Sequence, residues 1–255
     1  VSTALCLGGP GALFWMWVTA VLGGASAFVE STLAQIYKKK DDDGSSYGGP
    51  SYYIQDALGQ RWLGIMFAIV LILTYVVGYN MLAAYNTQDA FSTFHFYGKS
   101  TSVAVGLILA LLFAFCVLGG GKRLTKITEV LVPIMGVLFV IASLFVIVTH
   151  ISSLPQVFKL IFSSAFDFRS IFGGFTGSCI MWGIKRGLYS NEAGMGSAPN
   201  AAASASVSHP AKQGLVQMLS VFIDTLLICS ASAARVLLSG VYEIGGKVTG
   251  IDLIQ

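Results

Sequence analysis

The sequence predicts an all-α protein that crosses a membrane several times. Hydrophobic residues make up 55% of its 255 residues and only 11% are charged, which gives a mean hydropathy of +0.75. Ordinary soluble domains carry roughly 25% charged residues, so this composition indicates a chain that is solvated by a bilayer. A helix needs about 20 apolar residues to cross a hydrocarbon core of roughly 30 Å, and the sequence contains several uncharged runs of that kind.

Six segments meet this requirement or come close to it. Four rest on uninterrupted apolar runs, the fifth is short and rich in glycine, and the sixth carries Asp224 near its centre. The predicted spans are residues 9–37, 62–90, 100–120, 128–150, 170–189 and 212–236. Together they make residues 1–255 the central part of a single transmembrane domain. Because the sequence begins in the tail of one apolar segment and ends at the start of another, we expect further spans on both sides.

Lysine and arginine indicate the orientation, because short cytoplasmic loops are enriched in both residues. If the first span ends inside the cell, ten of the 15 basic residues fall in inner loops. The cytoplasmic loops are then those of Lys38–Lys40, Lys122–Arg123 and Lys185–Lys212, in a multi-pass protein of the cell (inner or plasma) membrane. This bias also explains the net charge of +3 without a nucleic-acid partner.

Motifs of the common enzyme and metal-binding classes are missing from the sequence. The four cysteines are scattered singly and the three histidines lie far apart, so neither set has the spacing of metal ligands. There is no nucleophile elbow, no phosphate-binding loop and no pair of close carboxylates on one helix. We therefore expect no catalytic residue, no resident metal and no cofactor, and the protein is not predicted to be an enzyme.

Asp224 is the clearest polar residue at membrane depth. An Asp at the centre of a span costs about 2.5–3.5 kcal/mol on insertion scales, so it normally faces a bundle interior or a water-filled cavity. Gln217, Ser220 and Asp224 are spaced by three and four residues, which places them on one face of a helix. This stripe is either a hydrogen-bonded contact between helices or an ion or gating site.

Two other polar positions also leave alternatives open. Asn80 lies deeper in the second span than Asn86, so it either lines a cavity or belongs to an interfacial polar patch. Glu30 lies near the inner end of the first span, where its carboxylate can reach water or a cytoplasmic basic residue.

The fifth span is unusually rich in glycine, with Gly173, Gly174, Gly177 and Gly183. Each glycine costs up to about 1 kcal/mol in a helix interior. The run therefore favours either close packing of helices or an unwound segment, whose free carbonyls bind a cation and whose helix N-termini bind a carboxylate.

Several long motifs resemble one known family in order and spacing. They are GGPGALFWMWVTA, FVESTLAQIY, GGPSYYI, WGIKRGLYSNEAGMGSAPNAAA, HPAKQGLVQM and FIDT. These motifs are similar to those of the alanine or glycine:cation symporter family, the prokaryotic sodium/alanine symporters, and the resemblance covers essentially all 255 residues. It implies a leucine-transporter-type fold of two five-helix inverted repeats, of which this chain is about helices 2–7. The first helix and the C-terminal helices would be missing.

The resemblance further implies a secondary active symporter. Inward sodium flow would drive the uptake of alanine or glycine across the lipid bilayer by alternating access, with sodium as the coupling ion. Ala83 lies in NMLAAYN, where many family members carry a glutamine that could contact the substrate, so the resemblance leaves the substrate open.

The resemblance implies that the glycine-rich fifth span is the family's broken sixth helix, and together with the polar positions above it implies the site residues. Substrate contacts are expected from Gly174, Phe175, Thr176, Gly177, Ser178, Trp182 and Asn80. Ion-binding or gating roles are expected from Asp224, Thr225, Ser220, Asn191 and Glu192. In SNEAGMGSAPN, Asn191 and Glu192 can pair with neighbouring helices while Gly194 and Gly196 permit a tight turn. This stretch is then an inner gate or hinge, or alternatively a rigid structural loop.

Two rival functions remain open at this point. A proton-coupled amino-acid transporter would use Asp224 or Glu192 as its proton carrier. A non-transporting membrane sensor or scaffold would use the intramembrane polar groups only to pack its helices.

Overall fold

The computed structural model describes residues 1–42, 44–92, 94, 97–167 and 179–239. Within these ranges the regular secondary structure is helical apart from one small hairpin, in which Lys39–Lys40 pairs with Ser46–Tyr47 in antiparallel register. The predicted all-α class is therefore confirmed.

Ten helices are labelled here in chain order. They are α1 (Ser2–Gly8), α2 (Gly11–Ile36), α3 (Pro50–Leu58), α4 (Arg61–Ile72, then a π-helix over Leu73–Tyr79 and an α-helix over Asn80–Asp89), α5 (Lys99–Leu118), α6 (Gly120–Thr149), α7 (Leu154–Ala165), α8 (Cys179–Asn191), α9 (Ala198–Ser204) and α10 (Pro210–Phe222, then a π-helix over Ile223–Cys229 and an α-helix over Ser230–Leu238). A short 3-10 turn, Ile151–Ser153, precedes α7.

Five helices in the described part of the chain are long and apolar enough to cross a membrane: α2, α4, α5, α6 and α10. This supports the predicted polytopic membrane protein. The predicted span 170–189 falls partly on residues 170–178, which lie outside the described residues, and its described part is α8.

Local sequence signals mark the ends of several helices. Pro210 opens α10, where the absence of an N–H group has no cost, and the ring of His209 caps the helix by accepting the Ala211 N–H at 3.2 Å. At the C-terminal end of α3, Gly59 adopts a left-handed conformation with φ of 66°, which only glycine adopts readily.

Helix α2 is the centre of the packing. It lies between α8 and α10, and α1 and α7 cover its first half. Its buried face consists mainly of small and apolar residues: Ala12, Leu13, Met16, Ala20, Ala27 and Ala34. Because lipid tails are as apolar as these side chains, close packing of small residues is what holds such helices together in a bilayer.

Glycines permit the closest of these approaches. A Cβ atom at Gly183 of α8 would lie 2.5 Å from the Trp15 Cβ and 2.6 Å from the Ala12 carbonyl oxygen of α2. Gly214 of α10 likewise approaches Phe28 and Thr32, where a Cβ would overlap both residues. The axes of α8 and α10 can therefore come close to α2 only because these positions lack side chains.

Helices α4 to α6 present most of their apolar side chains outwards. Leu111 and Leu118 of α5, for example, are 70% and 86% exposed. Exposed apolar surface on this scale is typical of helices that contact acyl chains. The well-packed core thus lies around α2, and the polar groups described next lie at its edge.

Candidate functional site

The connection between α8 and α9 forms the tight turn that the sequence suggests. Gly194 and Gly196 have φ of 81° and 77°, the left-handed region that glycine favours. A Cβ at Gly196 would lie 2.6 Å from the Phe67 ring, so both the backbone angle and the space require glycine there. Glu192 has φ of 52°, which is uncommon for a residue with a side chain. The turn is therefore constrained by its neighbours.

Asp224 lies in the π-helical segment of α10 and contacts the last turn of α8. The Ser190 hydroxyl donates to Asp224 Oδ2 at 2.6 Å, and the Asn191 amide donates to Thr225 Oγ1 at 3.1 Å. Asn191 is 7% exposed and Thr225 is completely buried. The Cys229 sulfur lies 3.1 Å from the Ser190 oxygen. We call Ser190, Asn191, Asp224 and Thr225 the α8–α10 polar cluster.

Glu192 links the same turn to α4. The Tyr75 hydroxyl donates to Glu192 Oε2 at 3.2 Å, and the Ser197 hydroxyl donates to the same oxygen. On the inner side of the turn, Asn191 Oδ1 accepts the Ala193 N–H at 3.1 Å. The polar residues of the turn therefore connect three parts of the chain: α4, α10 and the turn itself.

Other predicted site residues lie away from these contacts. Ser220 is exposed on α10 and accepts a hydrogen bond from Gln217 at 3.2 Å. Asn80 is exposed on α4 and donates to the Val76 carbonyl of its own helix at 3.2 Å. Trp182 is half-buried on α8, with the Arg186 guanidinium 5.5 Å from the centre of its ring. The remaining predicted substrate contacts, Gly174, Phe175, Thr176, Gly177 and Ser178, lie outside the described residues.

Comparison with known proteins shows which family this chain belongs to. A family model described as "Sodium:alanine symporter family" matches residues 1–255. The chain belongs to this family. The predicted family is therefore confirmed, and its members are transporters rather than enzymes.

Relatives of this sodium:alanine symporter family member differ in the solutes and ions that their names carry. The chain is 46% identical to GlnT of Bacillus subtilis (strain 168), which is named a probable sodium/glutamine symporter. The match extends over 255 residues and covers 100% of this chain and 52% of GlnT. It is 39% identical over 260 residues to the sodium/alanine symporter AgcS of Methanococcus maripaludis, and this match covers 99% of the chain and 56% of AgcS. It is 39% identical over 254 residues to a sodium/proton-dependent alanine carrier protein of Bacillus sp. (strain PS3), and this match covers 100% of the chain and 56% of that relative. The chain spans about half the length of the curated relatives it matches.

Sequence reasoning missed several polar partners in this symporter family member. Ser190 and Ser197 lie in the same stretch as Asn191 and Glu192, but nothing in their spacing identifies Asp224 or Glu192 as their partners. Tyr75 lies in the polar patch of the second predicted span, and its partner Glu192 is 117 residues away in sequence. For Ser190, the sequence offered one signal of a role in the site, which is that it directly precedes the predicted gate residue Asn191.

Glu30 also lies beside this turn, although the sequence suggested water or a basic residue as its partner. The backbone amides of Gly194 and Gly196 lie next to its carboxylate. Its Oε2 atom is buried and has no hydrogen-bond partner among the described residues. The carboxylate therefore faces a backbone turn rather than open solvent.

Tyr53 of α3, outside the membrane-spanning helices, is buried near this carboxylate, and its pKa is raised. Burial of the phenol raises the pKa of Tyr53 from 10.0 to about 12, and the nearby charge of Glu30 acts in the same direction. Because this pKa is raised in the folded state, the contribution of the protonated Tyr53 to the free energy of unfolding is fully present below pH 10. It is lost as the pH rises towards 12.

We therefore expect Tyr53→Phe to change the alkaline stability profile of the protein. The wild type should lose thermal stability relative to the variant between pH 10 and 12, and the two should keep a constant difference at pH 7–9. Thermal unfolding of the purified protein in detergent at several pH values measures this difference. A constant difference up to pH 12 would show that Tyr53 titrates normally.

Proposed function

We propose that the protein is a secondary active symporter in which inward sodium flow drives the uptake of a small amino acid, alanine or glycine, by alternating access. The α8–α10 polar cluster is the observation that carries this proposal. It contains a carboxylate within a membrane-spanning helix, where an ionisable group is costly and usually marks an ion or substrate pathway.

The cluster supports a role in ion binding because of its chemistry. Hard cations take oxygen ligands, and Asp224 and Ser190 bring a carboxylate and a hydroxyl oxygen within 2.6 Å of each other. Thr225 adds a second hydroxyl oxygen on the same segment of α10. A cation bound between α8 and α10 would favour one arrangement of the two helices over the other. Ion binding could then be coupled to solute binding through a shared conformational state.

The proposed solute site lies around the start of α8. In this proposal Gly174, Phe175, Thr176, Gly177 and Ser178 form a break in the sixth family helix, and Trp182 and Asn80 contribute from α8 and α4. Backbone groups at such a break bind the charged ends of an amino acid in transporters with inverted repeats. We propose the same leucine-transporter-type inverted repeat here. The loops at Lys38–Lys40, Lys122–Arg123 and Lys185–Lys212 would then face the cytoplasm.

The first test is uptake by proteoliposomes that contain the full-length protein. Labelled alanine and glycine should accumulate under an inward sodium gradient and should not accumulate when potassium replaces sodium. Because one relative is named a probable sodium/glutamine symporter, unlabelled glutamine is added as a competitor. Equal accumulation in sodium and potassium would contradict sodium coupling, and solute binding without accumulation would favour a sensor.

Proton coupling is the second candidate, because one relative is named a sodium/proton-dependent carrier. In that case Asp224 or Glu192 would carry the proton. Uptake that persists with sodium after the pH gradient is collapsed would argue against proton coupling. Uptake that disappears under the same conditions would favour it.

A further inference from the structure

Two helices, α10 and α4, contact the last turn of α8 and the residue that follows it, Glu192. Ser190 and Asn191 contact α10, as described above, whereas Tyr189 and Glu192 face α4. Both partner surfaces are π-helical: Leu73–Tyr79 in α4 and Ile223–Cys229 in α10. Such π-helical segments are rare and occur frequently at functional sites. The end of α8 is therefore clamped between two irregular helical segments.

Stacked aromatic rings form the contact with α4. The Tyr75 and Tyr79 rings lie 4.5 Å apart and nearly parallel, and the Tyr79 ring stacks on Tyr189 of α8 at 5.2 Å. The Tyr75 hydroxyl reaches Glu192 at 3.2 Å, and the Tyr79 hydroxyl approaches the Met195 sulfur at 3.8 Å. Tyr79 is thus the central ring of a stack that continues from one helix into the other.

The two sides of the clamp differ in how easily they can separate. Parting α8 from α10 would break the buried hydrogen bond between the Asn191 amide and the Thr225 hydroxyl, and polar groups at membrane depth are costly to leave without a partner. Parting α8 from α4 separates rings that already contact solvent or lipid, since Tyr189 is 38% exposed. Glu192 also has a left-handed backbone conformation that persists only while its surroundings hold it. The contact with α4 is therefore the one that can open and close.

We propose that Tyr75, Tyr79, Tyr189 and Glu192 form a latch whose opening gives access from the cytoplasm to the α8–α10 polar cluster. These are positioning residues: they hold α4 against α8 and do not bind the transported solute. The proposal rests on the proposed function for its cytoplasmic direction and its place in the transport cycle. The contact itself rests on the distances above.

Cys229 provides a native reporter for the latch. Its side chain is buried, and its sulfur lies 3.1 Å from the Ser190 hydroxyl oxygen, beside the α8–α10 polar cluster. In the full-length protein with every other cysteine replaced, N-ethylmaleimide should modify Cys229 slowly while the latch is closed. The rate of modification then measures how often the reagent reaches the α8–α10 polar cluster.

Three tyrosine substitutions separate the stacking from other effects. Tyr79→Ala removes the central ring, and we expect Cys229 modification to become about tenfold faster, the size of shift that the loss of aromatic stacking pairs gives. Tyr79→Phe keeps the ring and should remain within about twofold of the wild type by the same reasoning. Tyr85→Ala removes an exposed tyrosine from the same helix and should also have little effect.

A second reporter distinguishes latch opening from general destabilisation. Cys179 is completely buried at the opposite end of α8, and a protein that keeps only this cysteine is labelled in parallel. Opening of the latch should accelerate the modification of Cys229 alone. Faster modification of both cysteines in Tyr79→Ala, equal rates in Tyr79→Ala and wild type, or a Tyr79→Phe variant that behaves like Tyr79→Ala would overturn the proposal. Labelling needs no transport, so absent sodium-dependent uptake in the wild type would refute the proposed function alone.

Discussion

Asp224→Asn should lower the apparent sodium affinity of uptake by about 10- to 100-fold, since hydrogen bonds and ligand contacts to a charged group are worth roughly 1.5–3 kcal/mol. The substitution keeps the shape of the side chain and still allows the Ser190 hydroxyl to donate to the remaining carbonyl oxygen. It removes the negative charge that a cation would meet between α8 and α10. The result should therefore be a loss of ion binding in a protein that still folds.

The measurement is a sodium titration of initial alanine uptake in proteoliposomes, with thermal unfolding of the same preparations in detergent. Ser232→Ala is the matched control, because Ser232 is also buried on α10 but donates only to the Ile228 carbonyl of its own helix, at 2.9 Å. That control should leave the sodium titration unchanged. An Asp224→Asn protein with the same sodium dependence as the wild type would show that Asp224 serves only to pack α10 against α8.

Gly183→Val should destabilise the protein by about 3 kcal/mol or more, at the upper end of what overpacking costs. The first added carbon atom would lie 2.5 Å from Trp15 Cβ and 2.6 Å from the Ala12 carbonyl oxygen. The second of these contacts is to backbone of α2, which cannot rotate away as a side chain can. Helix α8 would have to move away from α2, which would also shift Ser190 and Asn191 relative to Asp224 and Thr225 of α10.

Gly106→Ala, on the exposed helix α5, should leave the stability of the protein unchanged or raise it slightly. A Cβ at Gly106 of α5 meets no atom within 4 Å, and alanine is more favourable than glycine in a helix interior by roughly 0.5–1 kcal/mol. Thermal unfolding in one detergent should therefore rank Gly183→Val well below the wild type and Gly106→Ala at or slightly above it. A Gly183→Val protein as stable as the wild type would mean that α8 does not pack closely against α2.

The family and the class of fold were accessible from the sequence because both depend on local composition. Long apolar runs such as the one that contains α6 meet the length requirement of a bilayer whatever surrounds them, and the motifs around residues 182–203 are continuous in the chain. The tight turn at Gly194 and Gly196 is also a local property, since it depends on which residues tolerate a left-handed backbone. For Gly183 the sequence leaves two alternatives, close helix packing or an unwound segment, and the structure shows close packing.

The partners of the polar residues could not be predicted in the same way. Ser220 and Asp224 share the predicted face of α10, yet only Asp224 reaches α8, because the π-helical segment begins between them at Ile223. A π-helix changes the angular spacing of the residues that follow, so a stripe derived from regular helical periodicity does not continue through it.

By itself, the sequence determined that this protein is a helical membrane protein of the sodium:alanine symporter family, because apolar length and contiguous motifs are properties of neighbouring residues. Only the tertiary structure decided that Asp224 pairs with Ser190, that Tyr75 pairs with Glu192, and that α8 approaches α2 closely at Gly183. The members of each pair lie on different elements of the fold. Their contacts depend on how the helices are placed and rotated against each other, which no pattern within a single helix specifies.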